Sequence, residues 1–157
     1  YREIANRFFE SFHDFMDTVP SEHGFIIRNP RTNRVEILYN DTKDYSTIKF
    51  TLAHELGHIV LGHKEDNDIS QKEANCFARN LLCPVPVIDE LELKTVNDLV
   101  IVFEVGEPMA TVSLNYFESD RYYIRKDLED TLHLQTYAYM CGYSSIEEMY
   151  GVFYKTG

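Results

Sequence analysis

The stretch Phe50–His63 reads FTLAHELGHIVLGH and sets His54, Glu55 and His58 in a His-Glu-x-x-His pattern. A helical residue turns about 100°, so positions i and i+4 lie about 40° apart on one face. His54 and His58 are then neighbours one turn apart, and both imidazoles can reach one zinc ion. Glu55 is rotated about 100° from His54, too far to be the natural third ligand, but placed to face a water at that ion. The spacing predicts a helix over residues 46–62, capped near Ser46 or Thr47. Ile48, Phe50, Leu52, Leu56, Ile59, Val60 and Leu61 occupy most of its circumference, which predicts a buried helix whose polar residues need partners.

From the chain's own composition the pattern would arise by chance about 0.02 times per chain. A catalytic zinc typically keeps three protein ligands and one position for a water, whose pKa falls toward about 7. A neighbouring carboxylate can take that proton and pass it to a leaving amine. Two imidazoles and a carboxylate base therefore define a hydrolytic site that lacks one ligand.

A third histidine six residues after the second would make a metzincin. That position is Lys64, and His63 misses by one. On a continued helix His63 points about 180° from His54 and could not complete the site. Glu73, fifteen residues after His58, is the candidate third ligand if the next helix packs on this one. A competing reading makes Ser70-Gln71-Lys72-Glu73 a capping box, with Glu73 bonded back to the Ser70 N–H. Spacing leaves both open, and the missing third ligand favours metal. Cys76 and Cys83 are rival ligands. Cys76 is rotated about 300° from Glu73, so the two could not easily share one ion, and core cysteines are the preferred reading. His13, His23, His63 and His133 read as surface or packing residues.

Outward from the motif, Ile4, Phe8, Phe12, Phe15, Met16 and Val19 predict a helix over 2–19, stopped by Pro20. GFIIRNPRTNRVEILYN predicts two strands, 24–28 and 34–39, around a turn. HKEDND is a polar loop, and SQKEANCFARNLLCP predicts a helix over 71–83 ended by Pro84. Beyond it come a helix, a turn near Gly106, a helix with Pro108 in its first turn, and a tyrosine-rich tail helical in two pieces around Gly142.

A length of 157 residues fits one domain, with a core over 1–85 and a helical C-terminal part over 86–157. Net charge is −11. Residues 1–85 hold 10 basic against 13 acidic side chains, and 86–157 hold 5 against 13. Such a surface repels nucleic acid and anionic lipid. No apolar run approaches the roughly 18–20 residues of a membrane span, and no signal-peptide pattern is visible. The sequence opens on Tyr1 and not on Met, which leaves the true N-terminus open. Three cysteines without a C-x-x-C pair predict reduced thiols in a cytoplasmic protein.

KFTLAHELGHIVLGH followed by EANCFARNLLCP, with VEILYN before them, resembles the ImmA/IrrE-type metallopeptidases. The resemblance is strong over roughly 34–84, weaker over 96–117 and absent in the tail. It implies an α+β, compact zincin-like fold, mostly helical with a small β-sheet beside the active helix. It implies zinc held by His54, His58 and Glu73, with Glu55 as general base. It also implies a cytosolic regulatory protease of bacteria, phages or mobile elements, whose protein substrate is a helix-turn-helix repressor. In that family the region after the proline often resembles a helix-turn-helix with a basic last helix. Here no Lys or Arg occurs between Lys94 and Arg121, so residues 96–117 are expected not to hold DNA.

Three functions compete. An active zinc endopeptidase loses cleavage but not zinc in Glu55→Gln. A catalytically silent metal-binding module, pairing with a repressor or toxin, is indifferent to that change. A helical protein with an accidental motif binds no metal. The presence of Glu55 favours the first, because a structural zinc needs no base and prefers four protein ligands.

Overall fold

Asp44, and not Ser46 or Thr47, caps the helix that carries the two histidines. In the computed structural model, which describes residues 1–155, its carboxylate accepts the Thr47 N–H at 3.0 Å and the Ser46 and Thr47 hydroxyls at 2.6 Å. These donors hold Asp44 well below the usual carboxylate range. The helix, α3, runs Tyr45–Val60. It is not buried all round: Leu56, Val60 and Leu61 are exposed, while Thr51, Ala53, Gly57 and His58 face inward. The inward stripe is made of small and polar residues because another helix presses close against it.

α3 also stops earlier than its apolar run. Gly62 has φ +72°, its N–H bonds the Ile59 carbonyl at 3.2 Å, and the His63 N–H bonds the His58 carbonyl at 3.0 Å. This is a Schellman turn with Gly62 at the left-handed position. It sends the chain back over the last helical turn. The expectation that His63 points away from the site assumed a continuing helix and is corrected here.

The second helix, α4, runs Asp68–Leu82 and starts three residues earlier than expected. Asn67 Oδ1 accepts the N–H groups of Ile69 and Ser70 at 3.0 Å, and Ser70 Oγ accepts the Asn67 N–H at 3.0 Å. The capping box is therefore Asn67–Ser70, and the Ser70 N–H is already taken. Glu73 lies one turn inside the helix, free of the capping role. α4 packs on α3 through Ala74 and Ala78, both fully buried. A Cβ at Gly57 would lie 3.2 Å from the Ala74 Cα and 3.1 Å from a ring carbon of Phe77. Gly57→Val should therefore push α4 outward, at an overpacking cost of about 1–3 kcal/mol. Denaturant unfolding would show it, and an unchanged midpoint would contradict the close approach.

Two strands, β1 Gly24–Arg28 and β2 Val35–Tyr39, pair antiparallel from Gly24↔Tyr39 to Arg28↔Val35. The hairpin sits beside α3, and Gly24 faces Thr51 too closely for a Cβ. The predicted helix over 2–19 is two helices, α1 Arg2–Phe8 and α2 Phe12–Met16, so the chain has left the helix before Pro20. Phe9 is extended and Ser11 caps α2 by accepting the Asp14 N–H at 3.1 Å. The break lets Phe9, Phe12 and Tyr1 all meet Phe15, with Phe25 and Leu38 of the hairpin packed against the same cluster.

The chain divides into two compact units, Tyr1–Leu82 with Phe103–Gly106, and Cys83–Val102 with Glu107–Gly157. Within the first, Lys49 Nζ donates to the Phe103 carbonyl at 2.6 Å. The second is helical: α5 Val85–Glu90, α6 Val96–Phe103 up to its last residue, α7 Glu107–Tyr123, α8 Lys126–Met140 and α9 Ile146–Lys155. α5 was not expected. Pro84 is its N-cap and Pro86 lies in its first turn, where a missing N–H costs nothing. Val85, Pro86 and Ile88 of α5 are buried, and α5 packs on α7 and α8. Gly142, φ +85°, separates α8 from α9 as the sequence predicts. No helix among the described residues is long and apolar enough to cross a membrane.

Candidate metal centre

One turn of α3 brings His54 and His58 together, with their Nε2 atoms 3.0 Å apart. Two nitrogens bound at about 2.0–2.1 Å to a tetrahedral zinc would be about 3.3 Å apart. His54 Nδ1 lies 2.9 Å from Asn75 Oδ1 on α4. An amide oxygen only accepts, so His54 carries its proton on Nδ1 and turns a bare Nε2 toward His58. Such an outer hydrogen bond is what fixes the tautomer of a metal-binding imidazole. The sequence reading did not single out Asn75. Its signal was available, because it stands two residues after Glu73 on the helix expected to pack here.

His58 is buried and His54 half-buried. Burial pushes both imidazoles below their usual value of 6.5, and for His58 the neighbouring imidazoles His54 and His63 push the same way. Both are thus held neutral near pH 7, as metal binding requires. The folded protein binds fewer protons on these rings than the unfolded chain does. Their contribution to stability is full above pH 6.5 and is lost as pH falls through the depressed folded values. Glu55, raised in the fold, works in the opposite sense at lower pH. Metal-free protein should therefore lose denaturant resistance as pH falls below about 6.5. The His54→Gln, His58→Gln double variant should show a flatter profile. Equal slopes in the two proteins would contradict this assignment.

Glu55 is half-buried, one residue round the helix from His54. Burial first, and then the charge of Asp66, raises its pKa above the usual carboxylate value. A raised pKa makes it a stronger proton acceptor at neutral pH. Its charge also reaches Tyr1, whose phenol is pushed up to about 12, mainly by burial. The Tyr1 hydroxyl donates to the Ser21 carbonyl at 2.7 Å and is not offered to the site. Arg79 Nη2 lies 3.5 Å from Cys76 Sγ.

Glu73 does not meet either histidine of the motif. Its Oε2 lies 2.9 Å from His63 Nε2, and His63 Nδ1 lies 3.0 Å from His58 Nδ1. Among the described residues no group of three or more His, Cys, Asp or Glu is arranged as a ready metal cluster. His54, His58 and Glu73 are instead linked in a row, with His63 between the last two. His63, read as surface or packing, therefore belongs to the site. The signal that could have found it is Gly62, a glycine directly after a helical apolar run. None of the three cysteines is in a disulfide; Cys83 is buried, but Cys76 is exposed and not a core residue. Gln71 Nε2 donates to Asp66 Oδ1 at 2.7 Å and lies 3.5 Å from His58 Nε2.

The donor set suits zinc: two neutral imidazoles aimed at one point, and a carboxylate on the facing helix tied to the same network. A helix bearing HELGH, a second helix packed on its glycine and a hairpin beside both make a compact α+β, zincin-like core. A family model described as the IrrE N-terminal-like domain, peptidase M78, matches residues 11–115, and the chain belongs to this family. The family is one of metallopeptidases, and the match takes in every residue of the site. No curated protein and no solved structure matches the chain.

Proposed function

We propose that this protein is a zinc-dependent endopeptidase that cleaves a regulatory protein, a helix-turn-helix repressor. The observation that carries the zinc reading is the pair of Nε2 atoms 3.0 Å apart, one of them stripped of its proton by Asn75. His54, His58 and Glu73 would hold the ion. Bound there, zinc would lower the pKa of a water and polarise the scissile carbonyl. Glu55 accepts the proton of the attacking water and returns it to the leaving amine. Its half-buried place raises its basicity for that task. Asn75 keeps His54 in the tautomer that the site needs.

Family membership supports a peptidase and hence a protein substrate. The repressor reading rests on the sequence resemblance and on charge. A net charge of −11 suits a basic DNA-binding partner. The stretch Thr95–Asp120, without Lys or Arg, offers no cation to DNA phosphates. Free thiols fit a reducing, cytoplasmic setting. The first experiment is elemental analysis of the purified chain after dialysis without chelator. About one zinc per chain is expected, and no zinc with no uptake on addition would sink the reading. For the substrate, binding of a repressor to Glu55→Gln should weaken as salt rises, because exposed charges are screened. Binding indifferent to salt would remove the electrostatic part.

A further inference from the structure

We propose, resting on the zinc reading above, that His63 is a positioning residue that sets two of the three zinc ligands at once, through its two ring nitrogens. The turn at Gly62 folds its ring back over the end of α3, where its side chain is only 11% exposed. The His58 and His63 rings meet edge to face, centroids 5.0 Å apart. Nε2 of His63 is 2.9 Å from Glu73 Oε2, and a carboxylate only accepts, so this nitrogen carries the proton. Its other nitrogen, Nδ1, lies 3.0 Å from His58 Nδ1, so one ring touches both a proposed ligand of α3 and the carboxylate of α4.

The consequence falls on the far side of His58. Held through Nδ1, His58 turns its Nε2 toward Nε2 of His54 at 3.0 Å, with Gln71 Nε2 3.5 Å from His58 Nε2. Asn75 at one end and Glu73 at the other thus fix two rings whose Nε2 atoms converge on one point. Glu73 gives only Oε2 to His63, which leaves its other oxygen for the ion. A chain of contacts Asn75–His54–His58–His63–Glu73 spans both helices, and His63, just past the end of α3, links His58 to the carboxylate of α4.

The test is zinc affinity of the full chain, prepared metal-free and titrated with zinc against a competing chelator. His63→Leu keeps volume at the turn but removes both hydrogen bonds. His63→Gln keeps one donor and one acceptor. His63→Leu should bind zinc about 10–100-fold more weakly than the unchanged protein, as losses of outer hydrogen-bond partners do. His63→Gln should recover most of that loss. Melting of the metal-free proteins shows whether each variant folds, and a turn that only packs would give both variants the same affinity as the unchanged chain. That result, or an equal loss in Leu and Gln, would overturn the role. Zinc binding by the unchanged protein with no effect of His63→Leu would sink this inference alone. No zinc binding by the unchanged protein would sink it together with the functional reading.

Discussion

Glu55→Gln should keep its zinc and lose its cleavage. Removal of a general base costs typically 10²–10⁴-fold in rate. The substitution leaves the two Nε2 atoms and their outer partners untouched, because Glu55 points about 100° round the helix from His54. Gln has the same shape but cannot take a proton, so the two effects separate. Elemental analysis would report about one zinc, while mass spectrometry of a candidate repressor would show intact substrate. The variant should also hold its substrate long enough to serve as bait. Cleavage at the unchanged rate would remove Glu55 from the mechanism. Retained zinc with partner binding unaffected by the change, and no cleavage by either form, would point to the catalytically silent module.

His58→Ala should abolish zinc uptake at concentrations that saturate the unchanged protein. Loss of a direct ligand should exceed the roughly 10–100-fold range that follows loss of its hydrogen-bond partners. The effect should also reach stability. Zinc at a thousand times its Kd would add about 4 kcal/mol to the unchanged protein through mass action, and this increment should vanish in the variant. His58 is buried, so the variant is compared with the unchanged protein both with and without zinc, and only the zinc-dependent difference counts. A zinc-induced rise in melting temperature that survives in His58→Ala would place the ion elsewhere.

The face that carries the two histidines was legible because it depends only on helical period. Residues four apart share a face in any α-helix, so His54 and His58 had to be neighbours once the stretch was helical. The hairpin was legible for a similar local reason: short apolar runs rich in β-branched and aromatic residues flank Asn29-Pro30-Arg31-Thr32-Asn33, and a strand pair follows. Helix starts were less so. Asp44, Ser46 and Thr47 are all capping residues within four positions, and only the geometry selects Asp44, whose carboxylate gathers the other two hydroxyls. Asn67 and Ser70 posed the same choice. There the wrong start would have tied Glu73 to the backbone.

By itself the sequence determined the helix, the adjacency of its histidines, the carboxylate beside them and the one available further on. Those follow from backbone period and side-chain chemistry, which act over a few residues. Tertiary structure decided what the ring nitrogens and carboxylate face. Gly57 gains its meaning only when Ala74 and Phe77 arrive against it. Asn75 reaches His54 only because α4 then lies within hydrogen-bond distance. His63 joins the site because Gly62 takes a left-handed turn, and Glu73 stands where that ring can hold it. Hydrogen bonds between residues 10 and 21 positions apart depend on how two helices dock, which local periodicity does not encode.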